Sequence, residues 1–399
     1  MPPVRSNVNR HIIVVGAGAF GGWTALELLR RGARVTLLDA WGPGHVRSSS
    51  GGETRVTRCA YGPDRLYVDW TVRSLVRWER SEQEFGRRLL RPTGALWMFS
   101  GQDDYVRSSL PFLQEFEIPI EELTLREAEH RYPQIRWDGV TSAFYEPRAG
   151  SLLARLACQA VVERFVAEGG IYRQAAVRAP EVESAPIASI SLSDGSTLAA
   201  DAFVFACGPW LGTLFPDVVG DEIQPTRQEV LYFGTAAGDG RFDEGTLPIW
   251  FDFGERLMYG IPGNLHRGFK VADDFRGVPI DPTTATRGGT AEALEIARKT
   301  LARRFPELAD APLLGAEICQ YENSPDGHLI LDRHPRANNA WLVGGGSGHG
   351  FKFGPAVGEE MARLVLEGGA PPELFRLARL STLAERTTQF PESVLPASS

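Results

Sequence analysis

Apolar and polar positions change period along the chain, and each change marks an element. Ile12 to Val15 is a short, β-branched apolar run, as a buried parallel strand requires. A helix is expected from Phe20 to Arg31, ended by Gly32, and a second buried strand from Arg34 to Leu38 delivers Asp39. Helical spacing returns through Leu66, Trp70, Leu75 and Trp78. A strand is expected from Arg91 to Ser100, then a helix ending near Phe116 and another from Leu125 to Tyr132. An amphipathic helix spans Leu152 to Ala167, and a strand near Ile171 to Val177 follows. Ser189 to Leu198 reads as a hairpin turning at Asp194-Gly195, and Ala202 to Ala206 as a buried strand. EVLYF, LMYGIP and FKVADDF are alternating strands between residues 223 and 275, and a helix covers 290 to 305. Short strands are expected at Gly315 to Tyr321, Leu329 to Asp332 and Trp341 to Gly345, before a helix from Pro355 to Leu366. After about residue 376 no apolar period remains, which predicts a loose extension.

The opening strand, helix and strand do not continue as a βαβ series, so the middle segments read as insertions and the later ones as returns to the first sheet. A chain of 399 residues exceeds the usual single-core limit, and two interleaved domains are expected.

The first turn carries the chemistry. Gly16, Gly18 and Gly21 stand in G-x-G-x-x-G spacing between strand and helix. Gly16 permits the turn, Gly18 lets the backbone approach a pyrophosphate at the positive helix end, and Gly21 lets the helix lie close to the sheet. Asp39 falls where a carboxylate accepts ribose hydroxyls. This predicts a bound dinucleotide without separating NAD from FAD, and Val177 is expected on its adenine side. A second turn, Gly344, Gly345, Gly346, Gly348 and Gly350, feeds the last helix. Two such turns at opposite ends of the chain suggest an elongated cofactor gripped at both ends, which favours FAD.

Charge narrows the partners. Forty-two basic against fifty acidic residues give a net charge of −8, with no basic run, which argues against nucleic acid or an anionic membrane surface. No stretch is long and apolar enough to span a bilayer and the N-terminal residues lack an apolar leader core, so a soluble cytoplasmic protein with a small-molecule substrate is expected. The oligomeric state is left open, with a monomer compatible. Cys59, Cys158, Cys207 and Cys319 are widely spaced, without a metal-like or disulfide pattern. Cys158 and Cys207 read as small core residues, whereas Cys319 is suspected of reactivity. Lysine occurs only at 270, 299 and 352, arginine supplying the other 39 basic residues. Lys299 reads as surface; Lys270 and Lys352 each sit in a Gly-Phe-Lys tripeptide, and a compact ammonium retained in an arginine-rich chain points to a confined site.

GAGAFGG, ETRVTRCAYG, LMYGIP, GFKVADDF, GAEICQYENSPDGHLILDRHP and GGGSGHGFKFGPAVGE together resemble the monomeric sarcosine oxidase and N-methyltryptophan oxidase group of D-amino-acid-oxidase-like flavoproteins, from about residue 11 to 367. The resemblance implies an α/β fold of p-hydroxybenzoate-hydroxylase-like layout. A Rossmann-type FAD domain would comprise 1–88, 149–222 and 319–376, an interleaved α+β substrate domain 89–148 and 223–318, and a C-terminal extension 377–399. It implies FAD joined through a thioether to Cys319 and a substrate carboxylate held by Arg58 and Lys352. Tyr259 would line the substrate pocket, Arg55 and Lys270 would stand near the flavin ring, and Lys270 would serve reaction with oxygen. Gly346, Gly348, Gly350 and Lys352 join the cofactor set.

The residues themselves are compatible with those roles. Arginine clamps a carboxylate bidentately and lysine adds point charge. Arg55 and Arg58, three apart, would share one face of a short helix. Both could instead be solvated, and Tyr259 could be an ordinary half-buried strand aromatic. His328 and His349 are left outside the catalytic set. Asp274 and Cys59 depart from the group, where histidine is common. Asp274 either suits a substrate with an extra cationic or donor group, or a cyclic amine, or faces solvent beside Asp273. The expected activity is oxidation of a secondary amino acid, N-methyl or cyclic, by oxygen to an imine and hydrogen peroxide. Alternatives are a pipecolate-type cyclic imino acid oxidase, an FAD-dependent 2-hydroxy-acid dehydrogenase and a non-catalytic FAD-binding subunit.

Overall fold

The computed structural model describes residues 10–182, 186–220 and 222–382. Two large sheets of mixed α/β architecture share the work. A six-stranded sheet runs in the order Ile330–Arg333, Ala340–Gly344, Ala202–Phe205, His11–Val15, Arg34–Asp39 and Ile171–Gln174. All neighbours are parallel except the first pair. Its central strands are apolar on both faces because both are covered: by helices on one, chiefly Ala19–Arg30 packed against Gly354–Glu367, and by Ile190, Leu192, Leu211 and Phe215 on the other. Trp23 is buried where these helices meet.

The second sheet has eight strands, in the order Leu313–Asn323, Gln224–Phe233, Phe269–Asp273, Leu257–Ile261, Ile249–Phe253, Ala95–Phe99, Ser142–Glu146 and Glu121–Leu123. Helix Ala291–Arg304, capped by Thr290, packs on it over a core of Trp250, Phe269 and Phe305. Beneath this helix Asp252 is paired with Arg304 at 3.0 Å, both fully buried. The division expected between residues 318 and 319 falls inside Leu313–Asn323, which pairs along its length with Gln224–Phe233.

Most elements lie where the periodicity puts them, but Ser142–Glu146 is a strand that it does not mark, and four other departures follow. Residues around Arg55 form a strand, Thr54–Thr57, not a helix: Thr54, Val56 and Thr57 are β-branched and pair with Gly150–Leu153. That pairing also delays the helix expected from Leu152, which begins at Ala154. Ile249–Phe253, buried at every position including Asp252 and so without polar alternation, is a central strand that period-two reading misses. The tail beyond 376 is not loose where it is described: Leu377–Thr382 is a 3₁₀ segment with Leu380 buried and Arg379 paired to Asp326 at 2.7 Å. The rest of the expected extension, 383–399, lies outside the described residues. Lys299 is exposed and paired with Glu295, and all four cysteines are free thiols. Among the described residues no helix is long and apolar enough to cross a membrane.

Candidate active site

Two cavities adjoin where the parallel strands of the six-stranded sheet end. The larger, of about 440 Å³, has Gly16, Gly18, Asp39, Val177, Arg55, Cys319, Gly346, Gly348 and Gly350 in its walls. The smaller, of about 50 Å³, is walled by Arg55, Arg58, Tyr259, Lys270, Asp274 and Lys352, and shares Arg55, Cys319, Tyr321, Gly348 and Phe351 with the first. All the residues singled out from sequence therefore gather here except Gly21, which lies behind the wall. Lys352 faces the small cavity and not the large one.

Backbone geometry explains the first glycines. Gly16 has φ +102°, and a Cβ on it would come 2.1 Å from the Ala206 carbonyl oxygen. A Cβ on Gly21 would fall 1.8 Å from the carbonyl of Gly16, so strand, turn and helix lock only with glycine at both. Asp39 secures the turn. Its carboxylate accepts the amides of Ala17 at 2.7 Å, Trp41 at 2.8 Å and Gly42 at 2.7 Å, leaving about one of its four lone-pair sites free.

Arg55 and Arg58 reach the same cavity although residues three apart on a strand point to opposite faces. Arg58 stands just past the end of Thr54–Thr57, where the chain leaves the sheet. Arg55 donates to the carbonyls of Ser49 at 2.8 Å and Thr54 at 2.9 Å and to the sulfur of Cys319 at 3.1 Å. Arg58 is buried, with its guanidinium 4.2 Å over the Tyr61 ring and hydrogen bonds to the Ala60 carbonyl and to Tyr105 Oη. Lys352 Nζ donates to Tyr61 Oη at 2.8 Å and to the His349 carbonyl at 2.7 Å. Burial, and then the nearby Arg58 charge, push the Lys352 ammonium well below its ordinary pKa. Arg58 and Lys352 thus join Arg55 and Lys270 around one small cavity, an arrangement that an anion would relieve.

Opposite them, Tyr321 Oη donates to Asp274 Oδ1 at 2.8 Å. Asp274 is half-buried and turned into the cavity, not into solvent beside Asp273, and burial raises its carboxyl to about 6 against the opposing Tyr321 bond. Lys270 Nζ donates to the Thr54 carbonyl at 3.1 Å and lies 5.7 Å from the Tyr259 ring. Burial, then repulsion from Arg55, lower it to about 7. His349 Nε2 binds the Gly327 carbonyl at 2.9 Å and its ring packs against Tyr61, Tyr67 and Phe353; burial, and then the nearby Lys352, push its imidazole well below the ordinary pKa.

Residues 11–364 match the DAO family model, described as FAD dependent oxidoreductase. The chain belongs to the DAO family. It is 31% identical over 389 residues to a monomeric sarcosine oxidase of Streptomyces avermitilis, covering 93% of this chain and 97% of that one. It is 27% identical over 376 residues to an N-methyl-L-tryptophan oxidase of Yersinia pestis, covering 92% and 98%. L-proline dehydrogenase from P. horikoshii shares the fold, with a TM-score of 0.81 at 22% identity over 94% of this chain and 98% of that one. As a DAO member the chain is an FAD-dependent oxidoreductase.

The large cavity fits such a cofactor by its unmet polar atoms. Ser49 Oγ, Gln320 Oε1 and Glu322 Oε2 are buried without a hydrogen-bond partner among the described residues, and all three residues line it. Buried polar atoms left in this state are costly, so a ligand with complementary groups is the economical explanation. Sequence reading missed Tyr321 and Glu322. The available signal was period two on Leu313–Asn323: Tyr321 follows Cys319 on one face, and Glu322 follows Gln320 on the other.

Proposed function

We propose that this enzyme oxidises a secondary amino acid, N-methylated or cyclic, to its imine with oxygen as acceptor. The observation that carries the reading is the pair of buried basic groups, Arg58 and Lys352, facing a small cavity that shares its wall at Cys319 with the large one. Relatives named for sarcosine and N-methyl-L-tryptophan support the substrate class.

The Gly16 turn, Asp39, Val177 and the Gly346 to Gly350 turn would hold FAD, with Cys319 as its point of covalent attachment, and the bound group would supply a two-electron acceptor re-oxidised by oxygen to give hydrogen peroxide. Arg58 and Lys352 bind the substrate carboxylate, which fixes the carbon to be oxidised relative to the wall at Cys319. Their charges also favour the neutral amine over its ammonium, so a nitrogen lone pair is available as the C–H bond breaks. A hydride equivalent leaves carbon and a proton leaves nitrogen; water then hydrolyses the imine to a carbonyl compound and an amine. Arg55 places positive charge beside Cys319, and Tyr259 closes the pocket. Asp274, held by Tyr321, accepts from a second N–H or ammonium on the substrate, which favours a substrate larger than sarcosine. Lys270 provides the positive charge that stabilises oxygen as it takes up electrons.

The test is to mix the purified yellow protein with a panel of N-methyl, cyclic and primary amino acids and 2-hydroxy acids, following flavin bleaching and peroxide. Bleaching with peroxide by secondary amino acids is expected. Turnover of 2-hydroxy acids alone, or bleaching without peroxide in air, would replace this reading with a dehydrogenase.

A further inference from the structure

Glu322 has no part in the chemistry above, yet its position is unusual. It is 5% exposed, on the strand that carries Cys319, with its side chain on the opposite face, in the wall of the large cavity. One oxygen, Oε1, accepts the amide of Gly346 at 3.2 Å; the other, Oε2, has no partner among the described residues. Gly208 and Gly344 border Oε2, and a Cβ on Gly346 would come 2.8 Å from Oε1, so the carboxyl is seated against a wall of glycine backbone.

We propose that Glu322 is a neutral carboxylic acid whose Oε2–H donates a hydrogen bond to the bound FAD, and that it thereby sets the flavin's reduction potential. The assignment rests on the reading of the large cavity as the FAD site. A carboxylate there would have one lone-pair set facing a dry cavity with no counter-charge in contact, whereas the acid converts the unmet oxygen into a donor. Burial holds the group neutral up to about 8, only partly opposed by the Gly346 amide. The titratable group facing it is the Cys207 thiol, raised far above its ordinary range by burial; Asp39, Arg55 and Cys319 line the same cavity. Glu322 is a positioning and tuning residue. It holds its proton and transfers none.

The expected behaviour follows from linkage. Reduction adds negative charge to the flavin, which raises the affinity of Glu322 for its proton. Above about pH 8 reduction therefore takes up an extra proton, and the midpoint potential falls more steeply with pH there than below. The experiment is spectroelectrochemical titration of the purified holoprotein from pH 6 to 10, for wild type and E322Q, with the visible spectrum of the oxidised flavin followed over the same range. Wild type should show the steepening and a spectral transition near pH 8; E322Q, which keeps a donor but cannot ionise, should show neither and should match wild type below pH 7. A single slope and an invariant spectrum in wild type, or a transition that persists in E322Q, overturns the proposal while leaving the FAD site intact. Wild-type protein purified with no flavin and unable to bind added FAD overturns both.

Discussion

A guanidinium nitrogen of Arg55 lies 3.1 Å from the sulfur of Cys319, in the wall common to the two cavities. A cysteine so placed, with a guanidinium against its sulfur and both cavities at its side, is suited to carry a covalent flavin. Acid precipitation should leave the yellow colour with the protein, and Cys319→Ala should release it to the supernatant. Free FAD from acid-treated wild type would exclude the link.

Arg58 and Lys352 are expected to act together on a carboxylate. Arg58→Met or Lys352→Met should weaken binding of carboxylate inhibitors by about 1.5–3 kcal/mol, the usual size for a charged hydrogen bond. The corresponding decarboxylated amines should bind equally to wild type and variants. Titration of flavin absorbance with each inhibitor measures this, and unchanged carboxylate affinity would move the clamp elsewhere.

Lys270 titrates near pH 7, where its role needs the proton. Its pKa is lowered, so the ammonium is complete below about pH 7 and is lost as pH rises through that value. In stopped-flow mixing, re-oxidation of the reduced enzyme by oxygen should slow across that range, and Lys270→Met should be slow at every pH, by several factors of ten. Each tenfold corresponds to about 1.4 kcal/mol. Reduction by substrate should change far less. Air oxidation of Lys270→Met at the wild-type rate would remove this lysine from the oxygen step.

Asp274 gains its charge as pH rises through about 6. A substrate with a second cationic group should therefore show a falling KM as pH rises from 5 to 7, and Asp274→Asn should abolish that dependence while leaving sarcosine little affected. A pH profile unchanged in the variant would count against contact between Asp274 and substrate.

Asp252 and Arg304 are buried partners that do not line either cavity. Arg303 still holds Asp252 Oδ2 at 2.5 Å when Arg304 is removed, so Arg304→Leu leaves only Oδ1 unmet and should cost about 1–3 kcal/mol. Urea unfolding of the holoprotein reads this directly; a loss below about 1 kcal/mol would mean that water reaches Asp252.

Sequence periodicity located the first βαβ unit well because its strands are apolar on both faces and its turn admits only glycine at 16 and 21. The same reading misjudged Arg55 and Arg58, since spacing on a presumed helix stood in for a strand whose partner, Gly150–Leu153, is distant in the chain. Ile249–Phe253 was hidden because a central strand buried on both faces has no alternation to find. Glu322 gave no local signal either: an acid in a strand normally marks a solvent face, and only the cavity and the glycines around Oε2 reveal otherwise.

The order of strands in the six-stranded sheet also sets a timetable for the ribosome. When His11–Val15 emerges, only Arg34–Asp39 is available to pair with it; its other edge stays open until Ala202–Phe205 is made, and that strand in turn awaits Ala340–Gly344. The nascent chain thus carries an apolar, unpaired strand edge through most of its synthesis, a surface prone to aggregation that chaperones bind. If, as proposed, the Gly346 to Gly350 turn helps to hold FAD, capture of the cofactor waits until that turn has left the exit tunnel, and products cut short before it should accumulate as colourless, insoluble protein.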